Sequence, residues 1–261
     1  MARSMESEAE QRTRSAVALS ETVQRVPLWV IVLVLIAAAV IISVIRSANY
    51  STIVSFVSQG VALTIQISAF GYALALIIGL IAGLGRISKN PVIYTIATLY
   101  VEILRGIPIL VVILYVAFVI SSPLGVRSNA VRATVALALS YGAYLAEVYR
   151  AGIQAVPRGQ IEAARSLGMT GFQTMRFIVL PQALRIILPP LGNDFIAMVK
   201  DSSLASVISV AELTQETRLY VSRTFDTFGG WTMAALLYLS MTLVLSMGVR
   251  LLERYSQVEK R

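Results

Sequence analysis

Apolar residues fill four charge-free runs along the chain, at 26–45, 60–85, 106–126 and 229–249. An α-helix rises about 1.5 Å per residue, so about 20 such residues cross the hydrocarbon core of a bilayer. Each run predicts a spanning helix. A shorter run at 133–146 has Arg132 before it and Glu147 and Arg150 after it. Those side chains can reach towards the interfaces, which predicts a fifth span. The sixth candidate, 183–200, contains Pro189, Pro190 and Gly192, with Asn193 and Asp194 inside it. Proline removes a backbone donor and lipid offers no substitute, so this segment is expected as a broken helix lining the inside of a bundle.

The intervening stretches give the punctuation. Residues 50–59 are mildly amphipathic and suit an interface. Residues 86–91 form a basic turn in which Pro91 fits the first turn of the next helix. From there 92–122 reads as one long or kinked helix broken near Gly106 and Pro108. Pro123 and Gly125 make 121–129 a turn. Residues 1–25 read as a cytoplasmic tail and 26–45 as a retained first transmembrane helix. The core then covers 46–253, with a cytoplasmic loop at 150–181, and 254–261 is a second cytoplasmic tail.

Composition supports lipid as a solvent: 57% of residues are apolar and only 14% charged, with a mean hydropathy of +0.76. Such a chain would overfill a soluble interior. The net charge of +8 is compatible with nucleic acid, but the basic residues sit at the ends of the apolar runs. Positive-inside distribution explains that pattern and places both termini in the cytoplasm. The absence of cysteine excludes a disulfide framework and thiolate chemistry, and the absence of histidine removes the commonest general base and metal ligand.

Residues 162–181, EAARSLGMTGFQTMRFIVLP, interrupt the apolar pattern. Glu162, Ala163, Ala164, Arg165 and Leu167 favour helix while Gly168 and Gly171 break it, so two short helices with a turn between them are expected. A tight turn at Gly168 lets another surface approach the backbone closely. Arg158, Glu162 and Arg165 offer charged contacts, and Leu167, Met169 and Phe172 apolar ones. An ordinary interfacial connector would have a similar composition. The spacing Glu162-Ala163-Ala164, Gly168, Leu180-Pro181 closely resembles the EAA signature of ATP-binding-cassette importer permeases. Further matches run from about residue 59 to 213 and are closest to the polar amino acid uptake subfamily. They include Thr64, Tyr100-Val101-Glu102, Arg105-Gly106-Ile107-Pro108, Glu147, Arg150-Ala151-Gly152, Gly159-Gln160-Ile161, Pro189-Pro190, Asn193-Asp194-Phe195 and Lys200-Asp201-Ser202-Ser203. Ile107 and Ala151 depart from the family's usual Thr and Gly.

The resemblance implies an all-α polytopic membrane protein with the type I importer permease fold and about six transmembrane helices, in a bacterial inner membrane. It implies an ATPase-coupling loop formed by Arg158, Gly159, Glu162, Ala163, Ala164, Arg165, Gly168, Phe172, Leu180 and Pro181. Implied partners are two ATPase subunits, a second permease subunit, like or unlike, and an extracytoplasmic amino-acid-binding protein. No phosphate loop GxxxxGK[ST] occurs in the chain, so ATP and Mg are expected on the partner ATPase and no cofactor on this chain. A stand-alone gradient-driven transporter or channel is the competing class, and an intramembrane enzyme a third.

Candidates for the substrate pathway are the polar groups at membrane depth. Glu102 and Arg105, three apart, suit a local ion pair, with a cavity role for Glu102 as the other reading. Asn193 and Asp194 beside the proline break are expected either to cap it or to meet ligand. Lys200, Asp201, Ser202 and Ser203 offer both donors and acceptors to a zwitterion, or are exposed loop groups. Gln66 is a lesser candidate, suited to holding helices together.

Overall fold

The computed structural model describes residues 50–257 and, ahead of them, Ala39, Ile42, Ile45 and Arg46. Contacts separate Met1–Tyr50 from Ser51–Arg261. Within the first unit the Arg46 amide donates to the Ile42 carbonyl at 3.0 Å, one turn of helix. The expected tail 1–25 and almost all of the expected first span 26–45 lie outside the described residues.

In the second unit every described element is helical. Helix α1, Tyr50–Val57, continues past Ser58 into α2, Gln59–Gly85, and the two make one 36-residue apolar stretch. Instead of ending free, α1 sets Phe56 against Tyr220, ring centroids 5.9 Å apart, with the Arg223 guanidinium over the Phe56 ring. The turn after α2 behaves as its residues dictate. The Asn90 side chain accepts from the Val92 and Ile93 amides and Pro91 fills the first helical position of α3, Pro91–Gly106. Ile107 and Pro108 are extended, and α4, Ile109–Tyr115 with a π turn Val116–Ile120, leaves at 106° to α3. The expected break is therefore a sharp corner.

Ser128 caps α5, Asn129–Gln154, which is about 39 Å long at the standard rise. It is much longer than the apolar run at 133–146 because its polar ends are also helical. Small residues bring α5 against α2. Gly71, Ala75, Gly79 and Gly83 recur every four residues on one face of α2, and all four are buried. A Cβ placed on Gly79 would lie 2.7 Å from Leu145 Cβ and 3.0 Å from the Gly142 carbonyl oxygen. Ile67, Tyr72, Ala75, Ile113, Leu137 and Leu145 form the main apolar core around this seam.

After the polar loop come α6, Arg158–Ser166, and α7, Gly171–Thr174. A π turn Met175–Val179 then leads into α8, Leu180–Asp201. The expected break in α8 is not there. Pro189 and Pro190 lie inside a continuous helix, which lacks two rungs of its ladder because proline has no N–H. Packing against α2, α5 and the last helix holds it together. A short 3₁₀ segment, Ser202–Ile208, follows. The described residues end in α9, Leu213–Thr224, and α10, Thr227–Gln257, so residues 254–257, expected in a tail, continue the last helix. Among the described residues, Tyr50–Gly85, Gly171–Ile208 and Thr227–Leu251 are each long and apolar enough to span a membrane, and the bent α3–α4 pair makes a fourth. Helix α5 has the length but is less apolar along it, with Thr, Ser, Gly and Tyr among its residues, and its inner face is buried by its neighbours.

Glu212, fully buried, organises the junction of α9 with α2 and α10. It caps α9 by accepting from the Thr214 and Gln215 amides, both at 2.9 Å, and accepts from the Tyr238 hydroxyl at 2.8 Å. Since that proton is committed, Thr214 Oγ1 donates to Tyr238 across 3.0 Å. Beside it, Thr64 Oγ1 accepts from the Leu213 amide at 3.1 Å, and Gly60 leaves room for the Glu212-Leu213 backbone. Burial raises the Glu212 carboxyl above its ordinary value, with the hydrogen bonds from Thr214, Tyr238 and Gln215 opposing in part. A folded value above the unfolded one, about 4.3, means that the stability from this group is complete below that pH and is lost as pH rises through the folded value. The melting temperature of wild type should therefore fall as pH rises from about 4.3 through the folded value, and Glu212→Gln should flatten the fall. An unchanged slope in the variant would contradict this assignment.

Candidate functional site

The polar loop is a formed structure on a rigid base. Helix α6 starts at Pro157 and ends in a Schellman turn: Met169 N–H donates to the Ala164 carbonyl at 3.1 Å and Gly168 N–H to that of Arg165 at 2.9 Å. Gly168 has φ +81°, the left-handed conformation that glycine adopts at little cost. Thr170 then starts α7 with a capping box, its hydroxyl accepting from the Gln173 amide while the Gln173 side chain accepts from the Thr170 amide. The two short helices and the turn expected from the sequence are all present.

One face of this unit is anchored. Ala164 is buried, and Val156, Val179, Ala183 and Ile187 form a second apolar core with Ile153 and Ile161 packed on it. Gln182 Nε2 donates to Gln160 Oε1 at 2.5 Å and to the Ile178 carbonyl at 2.8 Å, tying α8 to α6. The opposite face is bare. Arg158, Gly159, Glu162, Ala163, Arg165, Gly168, Leu180 and Pro181 are exposed, and Leu167 and Phe172 are 83% and 74% exposed. Two large apolar side chains flanking a turn, ringed by charge, make an interaction patch. Met169, grouped with them in the sequence, is partly buried.

The substrate-pathway candidates divide. Asp201, at the end of α8, accepts from the Tyr141 hydroxyl at 2.8 Å. Tyr141 packs on Tyr144, whose ring lies under the Arg105 guanidinium at 5.6 Å. Asp194 is half-buried and within electrostatic reach of Tyr72 and Tyr141. Asn193, Lys200 and Gln66 are exposed and Ser203 is partly so. Ser202 is fully buried and donates to the Val199 carbonyl at 2.8 Å, an internal contact at the end of α8. With α8 continuous, Asn193 and Asp194 cap no half-helix.

Glu102 belongs elsewhere. The expected pair with Arg105 is replaced by one with Arg86, Arg86 Nη2 to Glu102 Oε1 at 3.3 Å. The i,i+3 reading fails because Arg105 turns to Tyr144 and the end of α2 brings Arg86 alongside α3. Arg86 also pairs with Glu147, which Arg150 holds at 2.7 Å. In the sequence, Glu147 follows an apolar run and Arg86 opens a basic turn. Only the packing of α2 on α5 brings them together.

Residues 75–256 match the family described as "Binding-protein-dependent transport system inner membrane component". The chain is 36% identical over 204 residues to the glutamine transport system permease protein GlnP of Escherichia coli (strain K12), covering 77% of this chain and 92% of that protein. It is 39% identical over 202 residues to the probable amino-acid ABC transporter permease protein YckA of Bacillus subtilis (strain 168), covering 76% and 88%. A chain from the crystal structure of an amino acid ABC transporter with histidines superposes with TM-score 0.73 at 37% identity, covering 79% of this chain and 95% of that one. A chain of the MetNI methionine ABC transporter, at TM-score 0.63 and 22% identity, shares the fold. Apolar spanning helices, an EAA-spaced loop and these matches agree: the chain is a multi-pass membrane permease subunit belonging to the binding-protein-dependent transport system inner membrane component family.

Proposed function

We propose that this permease imports amino acids, polar or charged ones, in an ATP-driven transporter, with the loop from Arg158 to Pro181 as the docking site for a separate ATPase. The observation that carries the reading is the exposed face of α6, the Gly168 turn and Phe172 on an anchored base. The relatives named for glutamine and for amino acids support the substrate class. A zwitterion needs an acceptor for its ammonium and donors for its carboxylate, and Asp194, Asp201, Lys200 and Arg105 supply both kinds. In this reading ATP and Mg bind the partner ATPase, and two ATPases closing on ATP drive two coupling loops, one on each of two permease subunits. A binding protein delivers substrate from outside. Both termini are cytoplasmic in this reading, which the excess of basic residues on that side favours. A gradient-driven transporter working alone lies outside this family, and the relatives are permease proteins rather than enzymes.

The test is co-reconstitution with the ATPase and binding protein in vesicles, measuring hydrolysis and uptake across a panel of amino acids. Stimulation of both by glutamine or another polar amino acid is the expected result. Stimulation by none of them would reject the substrate class, and uptake without ATPase would reject the mechanism.

A further inference from the structure

We infer that Arg86 is the positioning residue that ties the base of the loop to three helices, so that a displacement of the loop moves α2, α3 and α5 as one body. The inference rests on the docking role proposed above for the loop. Arg86 closes the C-terminal end of α2, and its side chain is 13% exposed. Its two terminal nitrogens go to different helices, one to Glu102 of α3 at 3.3 Å and one to Glu147 of α5. Glu147 is gripped from its other side by Arg150, with Nη2 2.7 Å and Nε 3.2 Å from Oε2. Arg150 Nη1 in turn donates to Gln154 at 2.6 Å, at the last residue of α5 before the loop.

Two arginines and two carboxylates thus balance each other at the point where three helices meet. The Arg86 Nε is buried without a partner, so the guanidinium is oriented by the two carboxylates alone. Directly beside the junction lies a cavity of about 680 Å³ bounded by Arg86, Ser88 and Tyr94 on one side and by Gln154, Val156, Arg158 and Ile161 on the other. The coupling loop's first helix and the α2–α3 turn share these walls.

The Arg86–Glu147 pair is largely buried, and such pairs add little net stability compared with apolar packing but hold one geometry because breaking them strands a charge; the Glu102 end is exposed and supplies direction more than energy. A planar fork bridging two helices resists sliding in a way that apolar contacts between α2 and α3 do not. Coupling between sites requires such a contiguous element that moves as a unit. Without the Arg86 bridge the loop still docks and the ATPase still turns over, but α3 and α2 no longer follow α5.

The experiment uses the complete transporter, with its ATPase and binding protein, in vesicles. Uptake and hydrolysis are measured together for wild type, Arg86→Gln, Arg86→Lys, Glu102→Gln and Gly168→Asp. Uptake per ATP should fall at least about fivefold in Arg86→Gln, the lower range of ordinary coupling between sites. Arg86→Lys, which keeps the charge but loses the fork, should recover part of it. Glu102→Gln, at an exposed carboxylate and so tolerant of folding, should shift the same ratio by less. If Arg86→Gln fails to insert, the other two variants decide. An unchanged ratio in the Arg86 and Glu102 variants, or a parallel loss of uptake and hydrolysis, overturns the inference. Gly168→Asp separates the two ideas. If it leaves ATPase binding and uptake intact, the docking reading has failed; if it lowers both while the Arg86 variants keep the wild-type ratio, only the role of Arg86 has.

Discussion

Gly168→Asp is expected to insert and fold normally yet lose most transport. A Cβ at Gly168 meets nothing within 4 Å in this chain, and aspartate is among the residues that tolerate a positive φ. The left-handed φ strains any side chain there, at about 1 kcal/mol for aspartate, which leaves the isolated subunit folded. The new carboxylate instead projects from the turn between Leu167 and Phe172, where an ATPase surface would have to close on the backbone. A side chain forced into the centre of such an interface costs about 2 kcal/mol or more, which corresponds to at least about 30-fold in affinity. Co-purification of ATPase and uptake should both fall by that order, while the melting temperature of the subunit alone stays near wild type. Wild-type uptake in this variant would remove the loop from the coupling path.

The second large effect is on the fold. Gly79→Val places branched atoms where a single Cβ already lies 2.7 Å from Leu145 Cβ, 3.0 Å from the Gly142 carbonyl oxygen and 3.2 Å from the Ala146 nitrogen. These neighbours are backbone, or atoms one bond from it, so no rotamer change relieves the clash. Overpacking of this kind costs about 3 kcal/mol, the upper part of the usual range, and here it pushes apart the principal helix pair. Loss of monodisperse protein in detergent, with a sharp drop in melting temperature for any that survives, is the expected outcome. Gly106→Ala is the control, because a Cβ there meets nothing within 4 Å. Equal behaviour of the two variants would mean that the α2–α5 seam has slack.

Local features were legible where local physics decides them. The corner at Pro108 follows from a missing donor and an extended residue before it. The turn at Gly168 and the capping box at Thr170 follow from residues within six positions of one another. The reading of α8 failed for the opposite reason. Pro189-Pro190 is a strong helix breaker in isolation, and contacts with α2, α5 and α10 override it. Ser202 reads from its chemistry as a donor to a zwitterion or as an exposed loop group, yet the 3₁₀ turn folds it inwards.

The sequence by itself determined the solvent of this protein, its helical class, the positions of its loops and the chemistry of the exposed loop patch, because apolar run length, charge placement and turn residues act over short distances. Tertiary structure alone decided which charges meet. Glu102 chooses Arg86 over Arg105, Glu147 becomes the centre of an ion-pair junction, and Glu212 is buried as a hub between α9, α2 and α10. Each of these depends on helices far apart in the chain lying side by side, and electrostatic energy depends on distance in space and on the surrounding dielectric, neither of which a linear pattern contains.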